Sequence, residues 1–181
     1  FELTIDNVNQ EFNNPNKETK EIAFCTILKN RVFHGGIIAK GSGMLKNGEN
    51  GKGIASRWYA KTLSDRIRAI DHVKHKIQFL QTDAFQIIEQ NRENKKAYFF
   101  IDPPYTLAGK RLYTHFEIDH EKLFYLTSKI QGKFMLTYDD TQEIRALANK
   151  YHLGIRTIPM KTTHHLEKNE IIVSDNFNWW A

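Results

Sequence analysis

Asp102-Pro103-Pro104-Tyr105 brings a carboxylate, a stiffened backbone and an aromatic face into four residues, directly after the apolar run Tyr98-Phe99-Phe100-Ile101. The two prolines fix φ and carry no N–H, so their carbonyls are acceptors with no ladder to join. A residue before a proline is pushed towards extended geometry, which holds Asp102 and Pro103 out of helix. A carboxylate beside a carbonyl can accept both hydrogens of an exocyclic amino group on a base. That draws a weakly nucleophilic nitrogen towards tetrahedral geometry and frees its lone pair. The ring of Tyr105 can stack on a base taken out of the duplex, as enzymes acting on bases require. The plain structural reading of Asp102 is a strand-end acid in a proline turn.

Such a group needs elements to aim it. The composition of Tyr98–Ile101 is that of a fully buried strand, and ligands of open α/β sheets bind at the carboxyl ends of strands. Residues 1–16 are polar and Asn-rich and read as an irregular lead-in. Residues 17–33 read as an amphipathic helix stopping at Gly35-Gly36. Residues 35–53 hold seven of the ten glycines and read as a long flexible loop or an irregular hairpin. This stretch carries no GxxxxGK[ST], and no GxGxxG after a strand. Further on, residues 60–72 read as helix, 77–80 as a short strand, and 82–89 as the start of a helix capped by Thr82 or Asp83. Helices are expected over 119–130 and 141–151, and strands over 133–138, 153–160 and 170–174. Strands alternating with helices predict an α/β doubly wound domain, closed by an antiparallel pair at a sheet edge. Asp139-Asp140 reads as a strand end and helix cap.

The chain of 181 residues is 40% hydrophobic and 12% aromatic, enough for one domain with a sizeable core. No apolar run approaches a membrane span and no signal-peptide pattern opens the chain. The single cysteine, Cys25, excludes an internal disulfide and fits a reducing cytoplasm. Eight histidines invite a metal reading. However, His164-His165 would point to opposite faces of a strand, and no HExxH or Cys/His ligand set exists, so no metal site is expected. Net charge is +5 and the isoelectric point about 9.2, a mark of nucleic-acid-binding domains. Much of the positive charge falls between Lys29 and Lys76, as a phosphate-binding surface needs.

Asp102–Tyr105 after an aromatic strand matches the catalytic motif of S-adenosylmethionine-dependent amino methyltransferases. The wider chain resembles the Dam-like, alpha class of DNA N6-adenine methyltransferases. Leu28–Gly36 is similar to that family's Leu-Asn-Arg…Phe-Asn-Gly segment, with Lys29 and His34 as departures. Ser56-Arg57-Trp58-Tyr59 with Lys61-Thr62-Leu63 and Arg66-Ile67 resembles its Arg-Phe-Asn…Thr-Leu…Arg-Ile region. Phe79–Phe85 resembles its strand ending in Asp-Ala-Phe, Phe134–Asp139 the strand after the catalytic one, and Lys168–Asp175 its usual close. The resemblance runs from about residue 17 to 176.

The resemblance implies a Rossmann-like S-adenosylmethionine-dependent methyltransferase fold of α/β class with a DNA-recognition insertion. It implies a helical, Gly-rich DNA-recognition segment over 1–60 and the catalytic part over 61–181. Asp102, Pro103, Pro104 and Tyr105 would be catalytic, with Asp102 and the Pro103 carbonyl holding adenine N6 and Tyr105 stacking on the flipped ring. Asp83, Ala84 and Phe85 would surround the cofactor's adenine, with Asp102 also on the cofactor side. Asn30, Arg31, Lys40, Lys46, Lys52 and Arg57 would touch double-stranded DNA. So would Lys110 and Arg111 in the loop after the motif, together with Tyr113.

The family's Phe-x-Gly-x-Gly cofactor motif is absent, as is the acid that follows it, and the chain opens on Phe1 rather than Met. The expectation is an N-terminally incomplete methyltransferase that needs a chain or segment supplying that motif. The expected reaction is methyl transfer to adenine N6 in a cytoplasmic restriction–modification or regulatory setting. Methylation of an RNA base amino group and an inactive DNA-binding fragment are the alternatives.

Overall fold

The computed structural model describes residues 1–48, 51–106, 115–161 and 167–179. They cluster into two compact units, the first Phe1–Phe79 and the second running from Leu80.

In the first unit, helix α1 spans Ile5–Asn13 and α2 spans Thr19–Val32. The irregular lead-in expected over 1–16 is therefore corrected. The Thr4 hydroxyl accepts from the Asn7 N–H at 3.1 Å and caps α1, and Val8 is fully buried among Leu28 and Val32. Tertiary burial of one apolar stripe outweighs the poor helix propensity of its asparagines. A capping box between Glu18 and Glu21 starts α2. After it, Phe33 bridges Met44 antiparallel, and the Leu45 N–H donates to the Val32 carbonyl at 2.8 Å. This part of the glycine-rich stretch is thus an irregular hairpin. A 3-10 turn at Gly53–Arg57 leads to helix α3, Ala60–Val73. No residue of α3 is buried, and Ile67, Ile70 and Val73 are exposed. The strand expected over 77–80 does not form: Ile77, Phe79 and Leu80 are exposed and in no ladder. A β-like composition forms a strand only where another strand satisfies its backbone.

The second unit is a four-stranded sheet of order β1-β2-β4-β3: β1 Tyr98–Ile101, β2 Lys133–Asp139, β3 Gly154–Lys161 and β4 Glu167–Ser174. β1 runs parallel to β2, β4 antiparallel to β2, and β3 antiparallel to β4. Helices α4 (Ala84–Asn91), α5 (His120–Thr127) and α6 (Gln142–Lys150) supply Ile88, Leu123, Phe124 and Ile144 to one core. The strands meet them with Phe134, Leu136, Tyr138, Ile171 and Val173, alternate residues that share a face.

β1 corrects a further expectation. Phe99 and Ile101 pack on the core, but Tyr98 and Phe100 are 69% and 70% exposed. The run is an edge strand covered on one face, because an apolar composition does not say whether a sheet is covered on both. β3 is the other edge, and Pro159 sits there, where a missing N–H is tolerated.

Candidate active site

β1 ends where its sequence dictates. The parallel register pairs Ile101 with Leu136, and Pro103, two residues on, has no N–H to continue the ladder. Asp102 is therefore delivered, exposed, at the carboxyl end of a parallel strand, while Pro103 is buried and Pro104 half-buried. The neighbouring strand grips the motif with three consecutive residues. The Thr137 hydroxyl donates to Asp102 Oδ1 at 2.6 Å. The ring of Tyr138 lies 5.9 Å from that of Tyr105, tilted by 34°. The Thr106 hydroxyl donates to Asp139 Oδ1 at 3.3 Å.

Tyr105 is half-buried against the core, with its hydroxyl hydrogen-bonded to Thr137 and Asp102. Burial first, and then the Asp102 and Glu170 charges, push its phenol up to about 12, against a single lowering contribution from Thr137. Tyr138 is raised above the ordinary phenol range, mainly by burial and then by Asp139 and Glu143. It is held at 2.6 Å from His120 Nδ1, and its ring also packs on Phe124 at 5.8 Å. The motif thus stands on an aromatic platform of Tyr105, Tyr138 and Phe124.

Asp83 caps α4, its carboxylate accepting from the Phe85 N–H at 2.9 Å. Asp83 and Ala84 are exposed; Phe85 is half-buried on the core, with the Lys122 ammonium 5.0 Å above its ring. In the first unit, Lys40, Lys46 and Lys52 are exposed, and Arg31 is half-buried. Asn30 and Arg57 converge on the hairpin backbone. The Asn30 carboxamide donates to the Gly36 carbonyl at 2.9 Å, and the Arg57 guanidinium to the Phe33 carbonyl at 3.4 Å. Gly36 has φ 73°, and a Cβ there would lie 3.0 Å from both side chains. Lys110, Arg111 and Tyr113 lie outside the described residues, as do His164 and His165. Among the described residues no three His, Cys, Asp or Glu side chains gather as a metal site. No helix among them is long and apolar enough to cross a membrane.

A family model for D12 class N6 adenine-specific DNA methyltransferases matches residues 6–165. The chain belongs to that family. Comparison with curated proteins gives no match. Membership in the D12 class makes this an α/β methyltransferase fold whose reaction is methylation of adenine N6 in DNA. It also implies an S-adenosylmethionine-type methyl donor. At the positions that the resemblance assigns to the donor's adenine, Asp83 is exposed with Oδ1 accepting the Phe85 N–H and its other oxygen available as an acceptor, and Phe85 is half-buried. Among the described residues of the second unit, Gly132 precedes β2 and Gly154 opens β3, so neither makes a glycine turn from strand into helix. Sequence reasoning did not single out Thr137, Thr106, Tyr138 or His120, which the structure gathers beside Asp102–Tyr105. The signal for Thr137 and Tyr138 was the similarity of Phe134–Asp139 to the strand after the catalytic one, combined with parallel register.

Proposed function

We propose that this chain carries the base side of a site-specific adenine-N6 DNA methyltransferase, with Asp102–Tyr105 as its catalytic group. Asp102 and the Pro103 carbonyl accept the two N6 hydrogens of a flipped adenine. Tyr105 stacks on the ring, and Pro104 keeps the acceptors rigid. Asp102 holds the hydrogen that leaves as a proton when N6 gains its methyl group. S-adenosylmethionine, when bound, supplies a methyl group on a sulfonium; Asp83, Ala84 and Phe85 would hold its adenine, with Asp102 facing the same side. Arg31, Lys40, Lys46 and Lys52 carry duplex DNA by its phosphates, helped by Asn30, Arg57, Lys110 and Arg111. The single observation that carries the reading is an exposed carboxylate at the end of a parallel strand, followed by an N–H-free backbone and an adjacent aromatic ring.

A chain or segment bearing the glycine-rich cofactor motif completes the donor side. What supports this is the place of β1 at the edge of the sheet among the described residues, with Tyr98 and Phe100 exposed: β1 pairs with β2 on one side, and its other side is able to take a further strand. The setting is the cytoplasm.

The test is transfer of a labelled methyl group to duplex DNA, by the chain alone and with such a segment added. Asp102→Ala is expected to abolish transfer in any active preparation. Because Asp102 is exposed, the variant should keep its fold and its DNA affinity. Unchanged activity in Asp102→Ala would sink the assignment.

A further inference from the structure

We infer that Thr137 is a positioning residue that sets the rotamer of Asp102, and so aims its carboxylate; the inference rests on the base-side role proposed for Asp102. An exposed aspartate at a strand end samples several χ1 wells, and ordering it costs entropy at the moment a substrate binds. Three observations show this freedom removed in advance. The Thr137 Oγ1–H donates to Asp102 Oδ1 at 2.6 Å, within the short range of charge-assisted O–H···O⁻ bonds. The donor belongs to β2, and the pairing of Ile101 with Leu136 brings the next residues of each strand, Asp102 and Thr137, side by side. Threonine is β-branched and stiff at χ1, so its hydroxyl is itself pre-aimed.

The chemistry of the carboxylate leaves room for a substrate. Two carboxylate oxygens offer about four acceptor sites. Thr137 takes one and the Tyr105 hydroxyl contacts the same group, so acceptor capacity remains for an amino N–H. Besides Asp102, the single Thr137 proton has the Ile101 carbonyl at 3.4 Å, a longer and weaker acceptor, and the Tyr105 hydroxyl oxygen, whose own proton is shared with Asp102. Thr137 touches no base in this arrangement; it acts through Asp102.

Val and Ser substitutions separate the hydroxyl from the side chain's shape. Thr137→Val keeps β-branching and volume and deletes the donor, whereas Thr137→Ser keeps the donor. In the full chain, three-bond couplings from Asp102 Cγ to its amide nitrogen and carbonyl carbon report χ1 without any need for activity. The wild type and Thr137→Ser are expected to hold one rotamer, and Thr137→Val to average between wells. In a methyl-transferring preparation, Thr137→Val should lower kcat roughly tenfold to a hundredfold, the range for a misplaced reacting group, with KM for DNA unchanged. Thr137→Ser should recover most of that loss. A single wild-type rotamer in Thr137→Val overturns the inference. So does full activity of Thr137→Val beside an inactive Asp102→Ala. An active Asp102→Ala overturns instead the base-side reading on which the inference rests, so the two failures are distinguishable.

Discussion

At Tyr105 the ring is committed to Tyr138 on one side, and the hydroxyl lies between Thr137 and Asp102. Burial is the largest reason its phenol titrates near 12 rather than 10.0. Stability thereby acquires an alkaline limb. A phenol harder to ionise in the folded state favours folding fully below its unfolded value, and that contribution disappears as pH rises through the folded value. Urea midpoints are therefore expected to stay level to about pH 10 and to fall between about 10 and 12. Tyr105→Phe should fall less steeply across that window, and the raised Tyr138 sustains the remainder. Parallel curves for the two proteins would show that Tyr105 ionisation is not coupled to folding. Legibility at this scale was divided. Asp102 and Tyr105 announced themselves because two prolines and an aromatic run frame them. Thr137 did not, because a threonine in a strand looks like any strand former until the register brings it beside Asp102.

Elements whose signals are local were read well. Asp83 caps α4 as expected, accepting from the Phe85 N–H, and Asp139 ends β2; the cap expected at Asp139-Asp140 is instead Thr141, whose hydroxyl accepts from the Ile144 N–H at the start of α6. The antiparallel close of β3 and β4 was read from two strands with no helix between them. Elements that depend on distant partners were read badly: α1 forms because Val8 finds Leu28 and Val32, and residues 77–80 stay out of any sheet because no strand meets them. The end of α6 joins both kinds of information. The Leu153 N–H bonds the Ala148 carbonyl at 2.9 Å and the His152 N–H the Asn149 carbonyl at 3.1 Å. This double closure is a Schellman motif, whose C′ position favours glycine. Here His152 fills it at φ 56°, the single described non-glycine residue with positive φ. His152 is exposed, so removing its side chain uncovers no core. A left-handed residue with a Cβ costs roughly 1–2 kcal/mol, part of which glycine returns through the entropy of the unfolded chain. His152→Gly is thus expected to stabilise the protein by about 0.5–1 kcal/mol, read as a higher urea midpoint at unchanged slope. A lower midpoint would mean that the imidazole makes a contribution larger than the strain it bears.

Across the whole molecule, the exposed lysines and the proposed catalytic carboxylate belong to different compact units, Lys40, Lys46 and Lys52 to the first and Asp102 to the second. Composition revealed the basic segment but could not sort its members. Asn30 and Arg57 spend their donors on the Gly36 and Phe33 carbonyls, whereas the three lysines are exposed. These groups should therefore fail differently. Asn30→Ala removes the side-chain donor to the Gly36 carbonyl, and Arg57→Ala removes one of two donors to the Phe33 carbonyl, which keeps the Gly36 N–H at 3.1 Å; both should lower the stability of the first unit along with DNA affinity, Asn30→Ala the more. Lys40→Gln, Lys46→Gln and Lys52→Gln remove charge alone. Combined, they should leave thermal unfolding unchanged while weakening duplex binding for every sequence. The slope of log affinity against log salt should become shallower by about one for each lysine that neutralises a phosphate. Asp102→Ala, which removes the carboxylate proposed to meet the base rather than a phosphate, should leave that slope where it was. Titration of a labelled duplex at several salt concentrations, in parallel for wild type, triple variant and Asp102→Ala, makes the comparison. A triple variant with the wild-type slope would place the phosphate contacts elsewhere on the chain. A loss of stability equal to that of Asn30→Ala would mean that these lysines also hold the hairpin together rather than meeting DNA.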